Sequence, residues 1–95
     1  HRLTDLDHTI IVNVESGMTY LNVPSQPQEG QRYEIYTCHA AMDLCIYFNE
    51  VNVYSFPEAR NYNGEDAVFE ANQRRYIELI YADGQWWMDY RYLNA

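Results

Sequence analysis

At 95 residues the chain has room for one domain and one hydrophobic core. Its composition is 47% hydrophobic, with ten Tyr, three Phe and two Trp, which excludes an intrinsically disordered segment. Fourteen acids against six arginines and no lysine give a net charge of −8, which excludes the basic stripe that nucleic-acid binding requires.

An anionic membrane surface repels such a chain for the same reason. No apolar run approaches the roughly 18 residues of a membrane span, and no signal peptide is visible. The expected partners are therefore neutral glycans or other protein chains, not nucleic acid and not the interior of a membrane.

Val, Ile, Thr and Tyr recur along the chain and favour strands, with turn residues at short intervals. His8 to Val14 alternates, Ser16-Gly17 offers a two-residue turn, and Met18 to Val23 alternates again. Pairing across that turn sets Val14 opposite Thr19, Val12 opposite Leu21 and Ile10 opposite Val23, all on one face. A slip of one residue destroys the agreement, so a hairpin is expected here.

Pro24 to Gly30 is too rich in Pro and Gly for a strand interior. In "RYEIYTC", Tyr33, Ile35 and Thr37 share one side and Arg32, Glu34 and Tyr36 the other. After "HAAMD", the stretch "LCIYF" puts Leu44, Ile46 and Phe48 on one face, and Asn49-Glu50 turns into "VNVYSF". Pro57 to Asp66 is the longest polar loop, "AVFEA" is a short strand candidate, and "DAVFEANQRRY" could instead form a brief helix.

Asp83-Gly84 is a strong two-residue turn signal, since a type I′ turn needs positive φ at both positions. The implied register pairs Tyr81 with Trp86, Leu79 with Met88 and Ile77 with Tyr90 on one face. Ile80 then meets Trp87, Glu78 meets Asp89, and Tyr76 meets Arg91 on the other. The first set is apolar or aromatic and belongs in the core. The second mixes charges with rings and faces water or a partner. Trp86 is thus structural, and Trp87 is a binding candidate.

Three phrases follow one another in a recognisable order: "VESGMTYLNVP", then "PQEGQRYEI", then "IELIYADGQWWM". The chain resembles the small β-rich domains of fibre, tail and head-fibre proteins of tailed bacteriophages and their prophages, over roughly residues 5 to 90. In physical terms Pro24 ends a strand, Gly30 reopens the chain into the next, and Gly84 makes the last turn. What the resemblance implies is architecture: an antiparallel, jelly-roll-like β-sandwich of about seven or eight short strands. It also implies a homotrimeric knob at the end of a fibre, assembled with other virion proteins in the bacterial cytoplasm and carried on the particle. Residues 1–95 would then be one domain, a C-terminal piece of a longer fibre protein that helps attach the particle to a host-surface glycan or protein. No ligand residues carry over from the resemblance.

Cys38 and Cys45 project to the outer face by alternation and oppose each other if "HAAMDL" is a hairpin connection. A cross-strand disulfide is one outcome; two free thiols are the other, and the one a reducing cytosol favours. His39 beside Cys38 and Asp43 has no recognised zinc spacing, so no metal or other cofactor is expected. Glu78 opposite Asp89 supplies the two carboxylates of a glycosidase, with Arg91 one diagonal step away as the compensating charge. A small knob lacks the deep cleft this chemistry uses. His1, His8 and His39 lack a hydrolase motif, and no enzymatic activity is expected.

The outward tyrosines can stack on sugars, bury between subunits, or cover a thin sandwich. The candidate binding residues are Trp87, Tyr36 and Tyr47 on outer faces, Tyr62 in the Pro57–Asp66 loop, and Asp83 at the last turn. Two rivals to the fibre reading are a carbohydrate-binding module of a secreted bacterial protein and a capsid decoration protein without a ligand.

Overall fold

Alternating apolar residues give strands with one dry face, and such faces must meet in pairs. In the structure, a computed structural model describing residues 9–12, 17–37, 42–69 and 74–93, they do so as a two-layer β-sandwich. The described strands are β1 (Thr9–Val12), β2 (Gly17–Asn22), β3 (Arg32–Thr37), β4 (Met42–Tyr47) and β5 (Val53–Ser55). They continue with β6 (Arg60–Asn61), β7 (Ala67–Phe69), β8 (Arg75–Ala82) and β9 (Gln85–Tyr92). One sheet has six strands in the order β1-β3-β8-β9-β5-β6, and the other has three in the order β2-β4-β7.

The all-β sandwich is as expected, and the described strands number nine, one of them only two residues long. Pairing is mixed where antiparallel pairing is expected throughout. β1 runs parallel to β3, β2 parallel to β4, and β5 parallel to β9. The hairpin expected across Ser16-Gly17 is not formed: β1 and β2 lie in different sheets, with Ile10 beside Ile35 and Leu21 beside Ile46. Residues 13–16, Val14 among them, lie outside the described residues.

The reason is geometric. Alternation records which face of a strand is apolar, not which strand lies alongside it. Two such strands can share a layer or sit in opposite layers, and their periodicity is the same. The first five strands alternate between layers, and two reversals restore the original direction. β1 and β3, and likewise β2 and β4, therefore pair in parallel, each pair joined by a crossover through the other layer. For the same reason β3 and β4 lie in different sheets and are not hairpin partners. Cys45 is a free, buried thiol, and Cys38 and His39 lie outside the described residues.

The core joins both sheets. Leu21, Leu44, Ile46, Ala67 and Phe69 come from the small sheet, and Tyr33, Ile35, Val53, Ile77, Leu79, Trp86 and Met88 from the large one. Phe48 is buried with them, which places Leu44, Ile46 and Phe48 inward as their spacing requires. Thr37 is the polar member of its inward set, and its Oγ1 accepts the backbone N–H of Arg75 at 2.7 Å.

The last hairpin has the expected register throughout, from Tyr81 opposite Trp86 to Tyr76 opposite Arg91. Asp83 and Gly84 both have positive φ, 54° and 80°. Asn49 and Glu50 also turn with positive φ, 53° and 66°. The Pro57–Asp66 stretch is less open than a polar loop suggests. It folds back as β6 against β5, and the N–H of Tyr62 reaches the carbonyl of Val53. "AVFEA" contributes β7, and no helix occurs among the described residues.

Candidate functional site

The inward residues of β3, β8, β9 and β5 are spent on the core, so any site on the large sheet is built from the alternate set. Level by level, the register assembles it. One level carries Arg32, Ile80, Trp87 and Tyr54; the next carries Glu34, Glu78 and Asp89; the third carries Tyr36, Tyr76 and Arg91. The outer face thus has an aromatic end, an acidic middle, and a mixed end of tyrosines with arginine.

At the aromatic end Trp87, Tyr54 and Phe56 form a cluster with ring centroids 5.3–5.8 Å apart. Phe56 lies nearly parallel to Trp87, at 24°, and is 56% exposed. An exposed phenylalanine on packed rings costs solvation that a purely structural surface avoids. The Trp87 indole N–H donates to the carbonyl of Ala82 at 2.8 Å, which fixes the ring against the hairpin. Amides border the rings: the Asn52 side-chain amide donates to Asn61 and to Gln85, and its oxygen accepts the N–H of Asn63.

In the acidic middle, two neighbouring pairs of like charges sit directly opposite each other, which destabilises a sheet unless a cation intervenes. Arg32 does this, bonding Glu34 at 2.8 Å and Glu78 at 2.5 Å. Its hydrogen bond to Glu78 is the main reason the guanidinium holds its proton more firmly than usual. Glu78 also accepts the Tyr76 hydroxyl at 3.2 Å. Burial, then the nearby Glu78 and Glu34 charges, push the Tyr76 phenol above its ordinary value. The carboxylate expected to face Asp89 does so, already engaged by Arg32 and Tyr76.

The mixed end forms an open recess of about 360 Å³ lined by Tyr36, Tyr76, Asp89, Tyr90 and Arg91. The Tyr36 and Tyr76 rings stand 4.9 Å apart at 53°, a V-shaped wall. The Arg91 guanidinium lies 5.1 Å over the Tyr76 ring, a cation–π contact that keeps it flat. Asp89 accepts the Tyr90 backbone N–H at 2.9 Å through one oxygen.

The structure separates the five candidate residues. Trp87 and Tyr36 share the outer face of the large sheet, at opposite ends of it. Tyr47 is on the other layer, stacked on Tyr20 at 5.5 Å and 6°. There its neighbour Cys45 is covered, and burial raises the thiol's pKa, so little thiolate forms at neutral pH. Asp83 is at the exposed hairpin tip, its N–H donating to Glu29. Tyr62 is a correction in placement: far from lining an exposed loop, it is 7% exposed and part of the core. Its hydroxyl donates to Glu58, as does that of Tyr90 at 3.0 Å, and Arg60 covers its ring at 4.3 Å.

Phe56, Tyr54 and the amide border were missed in the sequence. Alternation in "VNVYSF" does place Asn52, Tyr54 and Phe56 together, but only the parallel pairing of β5 with β9 brings them to Trp87. No family model and no curated protein sequence matches the chain.

Proposed function

We propose that the domain is a non-catalytic attachment module, the knob of a tailed-phage fibre, which contacts the host surface through the outer face of its six-stranded sheet. The observation that carries this reading is the Trp87–Tyr54–Phe56 cluster on the outer face of the sheet, with Phe56 exposed over two half-buried rings and amides at its border. Recognition sites combine such rings with a few placed polar groups. The virion context rests on the order of the three sequence phrases, which supply Leu21, Ile35 and Trp86 to the core.

Trimer formation is supported by a second exposed patch, on the opposite layer, where Val68 is 59% and Tyr20 is 44% exposed. With one face given to sister subunits and the other to the host, both patches have a use. Light scattering of the purified chain should give about three times the 11.3 kDa mass. Labelled protein should adsorb to cells of a panel of bacteria, and Phe56→Ser should weaken adsorption while leaving the trimer intact. A monomer that binds glycans would favour a free carbohydrate-binding module instead. A trimer that adsorbs to nothing would favour a decoration protein.

A further inference from the structure

The recess at the mixed end has a chemistry distinct from the ring cluster. Among the described residues Arg91 makes no ion pair, although Asp89 stands two residues away on the same strand face. Asp89 spends one oxygen on a backbone N–H, and its other oxygen has no partner among the described residues. The Tyr36 hydroxyl likewise has no hydrogen-bond partner among the described residues. A group with donors only and a group with acceptors only thus border one open space, which the Tyr36 ring also lines.

An anionic ligand would satisfy Arg91 but meet Asp89, with Glu78 and Glu34 one level away on a chain of net charge −8. A cationic ligand would satisfy Asp89 but meet Arg91, which already covers the face of Tyr76. A hydroxyl both donates and accepts. Two adjacent hydroxyls can therefore accept from the planar guanidinium fork and donate to the carboxylate together. The carbon-bound hydrogens of the same ring lie against Tyr36, while Tyr76 backs the guanidinium.

We infer that this recess is a subsite for a neutral pyranose, its vicinal hydroxyls held by Arg91 and Asp89 and its C–H face by Tyr36. The inference rests on the attachment reading for its setting, a host-surface glycan, but names the site and the ligand class independently of the ring cluster. Arg91 and Asp89 are both exposed, so their variants test binding without emptying the core.

The test uses the full chain on an array of neutral and uronic-acid-bearing glycans, with Arg91→Ala, Asp89→Asn and Phe56→Ser beside it. Adsorption to cells is measured in parallel, before and after periodate cleavage of vicinal diols and before and after protease treatment. Neutral glycans should bind, and Arg91→Ala and Asp89→Asn should each weaken binding about 10-fold to 100-fold, as loss of a hydrogen bond to a charged group does. Binding should persist at 1 M salt, where the Debye length falls to about 3 Å. Periodate, not protease, should abolish adsorption.

Binding confined to acidic glycans, or neutral binding indifferent to both substitutions, would overturn the inference and leave the attachment reading standing. Adsorption that protease removes and periodate spares would do the same, assigning the face to a surface protein. No adsorption and a blank array together would remove both.

Discussion

The two adjacent tryptophans give the sharpest test of the register. Trp86 is fully buried, between Tyr33 at 5.9 Å and Tyr81 at 5.4 Å, with Val53 beside it on β5. A buried Trp removes about 150–250 Å² from water. At ~25 cal/mol per Å² that is about 4–6 kcal/mol, an upper bound because the unfolded chain is already partly compact. Alanine keeps a fraction of this and the surroundings relax incompletely, so Trp86→Ala should cost about 3–5 kcal/mol. Against a net stability of about 5–15 kcal/mol, that loss is severe. Trp87→Ala loses one hydrogen bond, about 1 kcal/mol, and the contacts of a half-exposed ring with Tyr54 and Phe56. Its cost should be about 1–2 kcal/mol. Trp86→Phe should fall below Trp86→Ala, since it fills most of the space and removes an indole N–H that has no acceptor among the described residues. Guanidinium denaturation at constant m-value reads all three. Equal midpoint shifts for Trp86→Ala and Trp87→Ala would refute the facing assignment.

Three further outcomes are expected. Gly64→Ala should destabilise more than Gly84→Ala: both have φ above +80° or at it, but only at Gly64 does an added Cβ meet backbone, the Glu50 carbonyl oxygen at 3.0 Å. Thermal melts of the pair give the order directly, with about 1–2 kcal/mol for the backbone cost alone. Arg32→Ala should lower the melting temperature most at low salt, because Glu34 and Glu78 then face each other uncompensated, and added salt should narrow the gap. Burial and then donation to Glu58 push the Tyr90 phenol up to about 12, and raise Tyr62 as well. Because the folded form then keeps protons that the unfolded chain releases near pH 10, stability should hold below that pH and fall as pH rises toward 12. Glu58→Gln should bring the Tyr90 phenolate transition to lower pH in an absorbance titration.

How much of this was legible in the sequence follows from where each signal resides. The last hairpin was fully legible, because a two-residue Asp-Gly turn sets the register and every later pair follows by counting. The inward faces of β3 and β4 were legible for the same reason, as period-two patterns. Partnership across layers was not. The alternation of His8 to Val14 and of Met18 to Val23 is equally good for a hairpin and for two strands in opposite layers. Tyr62 misled for a related reason. The residues around it in the Pro57–Asp66 stretch are polar, and one ring among them reads as loop until β6 is seen to turn it inward.

The same logic explains why Trp87 was found while its companions were not. A strand presents two faces at the cost of one register, so the residues that fix β9 in the core also fix what it displays outside. Trp86 and Trp87 are adjacent because each serves a different face. Tyr54 and Phe56, however, reach Trp87 from a strand some thirty positions earlier, which enters parallel and only after the chain has crossed between layers. The aromatic end therefore exists only when β5 has docked on β9. The recess needs just β3, β8 and β9, whose pairings are antiparallel. If β5 loosens from β9 locally, the ring cluster disperses while Tyr36, Tyr76, Asp89 and Arg91 stay in register. The two ends of one face thus depend on different parts of the fold. A perturbation of β5 should separate them, sparing binding at the recess and removing the contribution of the rings.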